Sequence, residues 1–468
     1  MATITGPSGA DSIVNSESRS RTARLWSATA DRGRSYADVP SETMPPLERA
    51  RQMAATLVSE HGEASGAALA RELHATLAEL GPEDRLGFYA YLADNFRPDE
   101  AKLRAAAEAY LADPTPERAT ELAAAADPTR QELLRRMNLA PGGTAALVGM
   151  REHLLAHLRR RPELRPLDFD LRHLLASWFN RGFLELRRID WQTPAAVLEK
   201  LIAHEAVHEI QGWDDLRRRL APDRRCFGFF HPALPGEPLI FVEVALTQGL
   251  AASVQPLLAR EGDVKAAQER ARTADTAIFY SISNCQDGLR GISFGNFLIK
   301  QVVEELKAEL PKLVRFSTLS PVPGFRRWLD AVLEQKEGVP ETATLGEQEA
   351  ASLRALPPAD LPPDEMRSLL TRLCAIYLTE SGRNWRSADP VARFHLGNGA
   401  RLERINWYGN TAPRGIRESF GIMVNYLYDP ERIEANHEAF VDGAVVRSPA
   451  VDALLGQPPD GELKTAVS

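Results

Sequence analysis

The chain has only three cysteines in 468 residues, Cys226, Cys285 and Cys374, far apart and in no CxxC or Cys/His cluster. That spacing argues against a disulfide framework and a structural zinc site, and it suits a reducing compartment. Basic excess is also missing. The net charge is −8, so no global field draws in nucleic acid, and any anionic ligand must be held by local groups. No apolar run approaches the length of a membrane span. The first 35 residues carry Ser, Arg, Thr and Ala but no apolar core of a secretory signal. Asp11, Glu17 and Asp31 interrupt any resemblance to an organelle transit peptide. Residues 1–40 are therefore expected to form a disordered tail of a cytoplasmic protein, and the Ala/Arg-rich usage elsewhere has bacterial character.

What is present is ordinary globular material, 44% hydrophobic and 26% charged, in a chain too long for one ordinary core. Residues 46–180 are dominated by the strong helix formers Ala, Leu, Arg and Glu. Stretches such as LERARQMAATLVSEH, GAALARELHATLAEL and PEDRLGFYAYLADNF each carry one apolar stripe, and Pro82, Pro98, Pro114, Pro116 and Pro128 punctuate them. The pattern predicts a bundle of antiparallel helices over 41–182, with a role in oligomer contacts or support. His61, His74, His153, His157 and His173 are scattered through it without acidic or thiolate partners. DLRHLLASWFNRGFLELRRIDW reads as a connecting helix into a second domain over 183–468. There RCFGFFH and EPLIFVEVAL, parted by Pro235–Gly236, suggest a hairpin. Residues 337–365 read as a surface insertion, EMRSLLTRLCAIYLTE as a helix, and GIMVNYLYD as a final strand. A turn at Gly397–Gly399 followed by an alternating strand is expected in ARFHLGNGARLERINWYG. The class is mixed α/β (α+β), with a helical domain in front.

The stretch from Thr276 to Leu329 is the most informative. TAIFYSIS reads as a buried strand, QDGLRGISFGN as a glycine-bearing loop, FLIKQVVEELKAEL as a helix stopped by Pro311, and LVRFSTLS as a second strand. Gly288, Gly291 and Gly295 thus lie before a helix N-terminus, where free N–H groups and the helix dipole suit a pyrophosphate. The second strand brings Ser317, Thr318 and Ser320 toward the same end of the sheet. The tract is neither a P-loop nor a G-x-G-x-x-G fingerprint, so an anion cradle and a plain turn both remain open on the residues alone.

His204-Glu205-Ala206-Val207-His208 matches H-E-x-x-H inside the amphipathic LEKLIAHEAVHEI. On a helix such a motif could hold zinc. The metzincin extension would need Gly at 211 and His at 214, where Gln211 and Asp214 stand, and strands follow where a ligand-bearing helix is required. No metal is expected.

Several tracts together are similar to malonyl-CoA decarboxylases, over residues 204–408 and on toward the C-terminus. They are EAVHEIQGWDDLRRRL, RRCFGFFHPALPGEPLIFVEVAL, TAIFYSIS, LRGISFGNFLIKQVVEELK, FSTLSPVPGFRRWL and FHLGNGARLERINW. The resemblance implies a helical bundle followed by a catalytic domain of the GNAT-like acyltransferase fold. It implies malonyl-CoA as substrate, with the CoA pyrophosphate held by Arg290, Gly291, Ile292, Ser293, Phe294, Gly295 and Asn296. It assigns catalysis to Ser320, in the SxLSPxPGF tract, and His395, in FHLxNGA. Asn398 and Tyr426 are secondary candidates for orienting the acyl group or the histidine.

The implied reaction gives acetyl-CoA and CO2 through a thioester enolate. The thioester is its own electron sink, so no cofactor beyond the CoA of the substrate is expected. The expected partners are malonyl-CoA and copies of the same chain, as a dimer or tetramer through the helical domain, with no nucleic acid and no membrane. A GNAT-fold acyltransferase using the same CoA loop is the alternative reading, and a non-catalytic CoA-binding helical scaffold is the remote one.

Overall fold

A computed structural model describes residues 40–456, except 42, 60, 61, 260–262, 293–297, 337, 358 and 381–388. The tail expected over 1–40 therefore lies almost wholly outside the described residues. The chain divides into two compact units. One comprises Met1–Phe183 with Pro232–Pro235 and Gln286–Ser293; the other comprises Leu184–His231, Gly236–Cys285 and Phe294–Ser468.

The first unit is helical, and proline marks where its helices begin. Pro46–Leu57, Pro82–Asn95 and Pro116–Ala126 each carry proline in the first turn, where a missing N–H costs nothing. The apolar stripes meet in one core, including Met53, Leu57, Leu73, Phe88, Leu92, Leu133, Met137, Leu147 and Leu171. A buried ion pair crosses it: Arg130 Nη2 lies 2.5 Å from Asp170 Oδ2. Helices Glu100–Ala112 and Pro116–Ala126 pack on each other, and neither contains a buried residue.

Residues 286–292, which follow the central strand, group with this helical unit. Arg151, on helix Gly143–His157, donates from Nη1 to the carbonyls of Gly288 (2.7 Å) and Arg290 (2.9 Å), and from Nε to Asp168 (2.8 Å). Gly288 touches the same helix so closely that a Cβ there would stand 2.0 Å from the Val148 carbonyl oxygen.

The second unit is built on a mixed sheet of β1 (Glu185–Ile189), β2 (Arg224–Phe230), β3 (Pro238–Thr247), β4 (Thr276–Asn284), β5 (Arg315–Thr318), β6 (Ser320–Pro321), β7 (Arg401–Asn406) and β8 (Met423–Tyr428). Their order is β1-β2-β3-β4-β5-β8-β6, with β7 paired to β8. The expected β2–β3 hairpin forms, with Cys226 opposite Glu243. β4 and β5 are the parallel pair, joined through helix Leu298–Glu309, and the other paired strands run antiparallel. A helical unit before a mixed α/β sheet is the class expected from the sequence.

Three local expectations differ from the structure. ELRRI, read as part of a connecting helix, is the edge strand β1, and the helix before it ends at Trp178. Its charged side chains, Glu185, Arg187 and Arg188, are half-buried or exposed and break the alternation that marks a strand. LVRFSTLS is divided, with Leu319 leaving the ladder between β5 and β6. The turn expected at Gly397–Gly399 forms over Asn398 and Gly399, because Gly397 still belongs to helix Pro390–Gly397. The tract 337–365 also packs: Ala343 and Leu353 are buried, and Leu353 lies on helix Glu347–Arg354.

Candidate functional site

Ser320 and His395 are 75 residues apart in sequence and meet through the sheet. β8 pairs with both β5 and β6, so Ser320 lies opposite Val424, and Phe316 lies opposite Tyr428. Side chains alternate along a strand, so Val424, Tyr426 and Tyr428 share one face of β8. His395 comes from helix Pro390–Gly397. That helix is short, and its start is fixed by Asp389, whose Oδ1 accepts the N–H groups of Val391 (2.9 Å) and Ala392 (3.2 Å). The other oxygen of Asp389 accepts the N–H of Gly324 at 3.0 Å and the Tyr377 hydroxyl at 3.3 Å. One carboxylate thus ties the turn after Ser320 to the helix bearing His395.

Ser320 Oγ and His395 Nε2 are 3.0 Å apart. Ser320 donates to Thr318 Oγ1 at 2.9 Å, which leaves its lone pairs to accept from Nε2–H. Nδ1 then accepts from the Tyr428 hydroxyl at 2.9 Å. Donation runs one way, from Tyr428 to His395 to Ser320 to Thr318, and this fixes the imidazole tautomer. Thr318 Oγ1 also accepts the N–H of Tyr426 at 3.1 Å. Ser317, the third hydroxyl of the cluster, donates to the Tyr426 carbonyl at 3.0 Å and serves the backbone.

His395 is 3% exposed, and burial lowers its pKa to about 3, so the ring is neutral near pH 7. Burial holds the Tyr428 and Tyr426 hydroxyls far above their ordinary range, and both remain protonated donors. The Tyr426 hydroxyl is buried and has no hydrogen-bond partner among the described residues.

Of the secondary candidates, Tyr426 stacks on His395. Asn398 closes the helix: its backbone N–H reaches the Phe394 and His395 carbonyls, and its side-chain amide donates to Phe394 O at 2.6 Å. Tyr428 escaped the sequence reading. The signal available was its place two residues after Tyr426, on the same strand face. In the glycine loop, Arg290 pairs with Asp287 at 2.6 Å, Gly291 adopts φ +77°, and Ile292 is buried. Ser293, Phe294, Gly295 and Asn296 lie outside the described residues.

The H-E-x-x-H motif is not helical across its length. Helix Ala195–His204 stops at the first histidine, and Glu205 is extended. His204 is exposed while His208 is buried. The Glu205 carboxylate is engaged, accepting the Ser281 hydroxyl at 2.7 Å and the N–H groups of Val207 and His208 at 2.8 and 2.7 Å. The expectation that the motif lies on one helix fails because the chain turns there to place this carboxylate against β4.

A buried hydroxyl–imidazole pair set on a mixed α/β sheet is an arrangement able to carry a proton. Comparison with known proteins gives the family. Residues 182–465 match the malonyl-CoA decarboxylase C-terminal domain, and residues 96–179 match the N-terminal domain. The mitochondrial malonyl-CoA decarboxylase of Anser anser anser is 40% identical over 339 residues, which span 67% of this chain and 66% of that protein. The crystal structure of malonyl-CoA decarboxylase from Rhodopseudomonas palustris is similar with a TM-score of 0.79 at 52% identity, covering 87% of this chain and 99% of that one. The one from Agrobacterium vitis gives 0.79 at 50%, covering 87% and 100%. The chain belongs to the malonyl-CoA decarboxylase family, whose chemistry is that of a carboxy-lyase.

Proposed function

We propose that this chain converts malonyl-CoA to acetyl-CoA and CO2 through a thioester enolate, with Ser320 and His395 acting as one unit. The observation that carries the proposal is the 3.0 Å contact between Ser320 Oγ and His395 Nε2 inside a buried site. When the bond between the carboxylate carbon and Cα breaks, CO2 leaves and the electron pair passes to Cα and the thioester oxygen. One proton then adds to Cα. A single well-aimed donor to the developing oxyanion is worth about 3–4 kcal/mol. Positioned proton transfer adds about 10²–10⁴-fold.

A neutral imidazole is a weak acid, yet the enolate carbon is a stronger base than imidazolate or alkoxide. Delivery through the Ser320 hydroxyl, once it turns from Thr318 to the substrate, therefore runs downhill: His395 Nε2–H replaces the serine proton, the Tyr428 hydroxyl replaces the histidine's at Nδ1, and one proton from water restores the tyrosine. The Tyr426 hydroxyl is the further donor for orienting the acyl group. The CoA pyrophosphate is assigned to Arg290–Asn296, supported by the family's own pattern and by Gly291 at positive φ. No metal or organic cofactor enters this scheme, because the thioester accepts the electrons. Subunit assembly is assigned to the helical unit, whose Glu100–Ala112 and Pro116–Ala126 pair buries no residue.

The test is purified protein with malonyl-CoA alone. Stoichiometric acetyl-CoA and CO2 are expected. Product formation only when an acceptor amine is added would instead identify a transferase.

A further inference from the structure

A cavity lies in the sheet unit, away from Ser320. It measures about 720 Å³ and opens at the end of β1 and the start of β2. In the sheet order β3, β4, β5 and β8 stand between β2 and β6. The volume falls in the range of small-molecule sites, about 300–1,000 Å³.

Six arginines line it: Arg188, Arg217, Arg218, Arg224, Arg225 and Arg270. Three aspartates also line it, Asp190, Asp214 and Asp263. Two of those are engaged locally. Asp263 accepts the N–H groups of Lys265 and Ala266, and Asp190 accepts that of Gln192. Two further carboxylates lie outside the lining, and each serves several guanidinium groups. Asp223, fully buried, pairs with Arg218 (2.8 Å), Arg224 (3.0 Å) and Arg270 (2.8 Å). Glu309 pairs with Arg188 (3.0 Å) and Arg225 (2.7 Å). Six guanidinium groups face five carboxylates, Asp190, Asp214, Asp263, Asp223 and Glu309, a formal excess of one positive charge, and three of the six share Asp223 at the floor. Arg224 is 4% exposed, and its Nε has no hydrogen-bond partner among the described residues. Such a group costs free energy unless something accepts from it.

The rim is apolar. Trp191 is 48% exposed and Val264 59%. An exposed indole beside convergent guanidinium groups suits a flat ring, and guanidinium forks match phosphate oxygens. We propose that this cavity binds an organic phosphate carrying a planar ring, the chemistry of a nucleotide, with the arginines on the phosphate and Trp191 against the ring. The source is either a free nucleotide or the nucleotide end of a second CoA thioester.

ADP and CoA are titrated calorimetrically into the full-length protein and into Trp191→Ala and Arg217→Glu, both exposed positions. ADP is expected to bind wild type and to weaken at least about tenfold in each variant, with steady-state decarboxylation of malonyl-CoA unchanged. If the source is CoA, its stoichiometry falls from two to one in the variants. Equal ADP binding by wild type and both variants, or none up to about 5 mM, overturns the proposal. The same titration on Ser320→Ala separates it from the catalytic assignment, because that variant should keep the ADP site.

Discussion

The ring of Tyr426 lies against the imidazole of His395, centroids 4.8 Å apart and planes 25° from parallel. The backbone N–H of the same tyrosine holds Thr318 Oγ1, which in turn receives the Ser320 hydroxyl. One residue of β8 therefore braces both members of the pair, the histidine by its ring and the serine by its backbone.

Removing either member should disable the unit. His395→Ala and Ser320→Ala are each expected to lower kcat by about 10²–10⁴ while leaving CoA-ester affinity intact. The double variant should be little worse than the poorer single one. Steady-state kinetics of all three checks this, and full additivity in free energy would mean independent roles.

Tyr428→Phe deletes the donor to Nδ1 and keeps the ring. An unsatisfied buried acceptor costs about 1–3 kcal/mol, so kcat should fall about tenfold while KM stays near its wild-type value. A variant with unchanged kcat would remove Tyr428 from the proton chain.

The low pKa of His395, about 3, gives a pH prediction with a definite sign. Below the ordinary histidine value the unfolded chain takes up a proton that the folded site refuses. This residue therefore costs no stability above about pH 6.5 and progressively more as pH falls toward 3. His395→Gln escapes that loss. The Tm advantage of wild type over His395→Gln should shrink between pH 6.5 and 4.5. A gap that widens on acidification would contradict a neutral buried imidazole. For the same reason kcat should show no acid limb near pH 6.5 from this group.

Gly288→Ala places a Cβ 2.0 Å from the Val148 carbonyl oxygen, a backbone atom that cannot rotate aside. Overpacking of this kind costs about 1–3 kcal/mol. Denaturant unfolding followed by a probe in the helical unit should show the loss. Gly291→Ala, strained only by φ +77° with open space around it, should lose less, about 1–2 kcal/mol.

His204→Ala should leave kcat unchanged, and exhaustive chelation should do the same. The carboxylate of the H-E-x-x-H motif already holds the Ser281 hydroxyl and two backbone N–H groups. Stoichiometric zinc, with activity lost on its removal, would refute this.

The sequence made the long helices and the buried strands readable because their periodicity is strong. TAIFYSIS and EPLIFVEVAL are buried almost throughout, and the prolines mark helix starts. β1 escaped because ELRRI shows water its charges and leaves only Ile189 fully buried. The break at Leu319 escaped because composition does not register a change of strand partner. Ser320 and His395 were named through family resemblance; no local pattern links two residues 75 positions apart. Tyr428 escaped because its role depends on a helix packing over β8. The arginine-lined cavity draws on helix Trp213–Arg219, β2 and helix Val264–Thr273, which only folding assembles.

Asp389 joins the turn after Ser320 to the helix of His395 through a few hydrogen bonds, while the sheet beneath is held by ladders of them. The link between the turn after Ser320 and the helix of His395 is thus a clasp beside the sheet and not one of its ladders. Gentle heating should open the clasp first, as a sub-global event with its own free energy. Activity would then fade reversibly some degrees below the melting transition, and cooling would restore it without refolding.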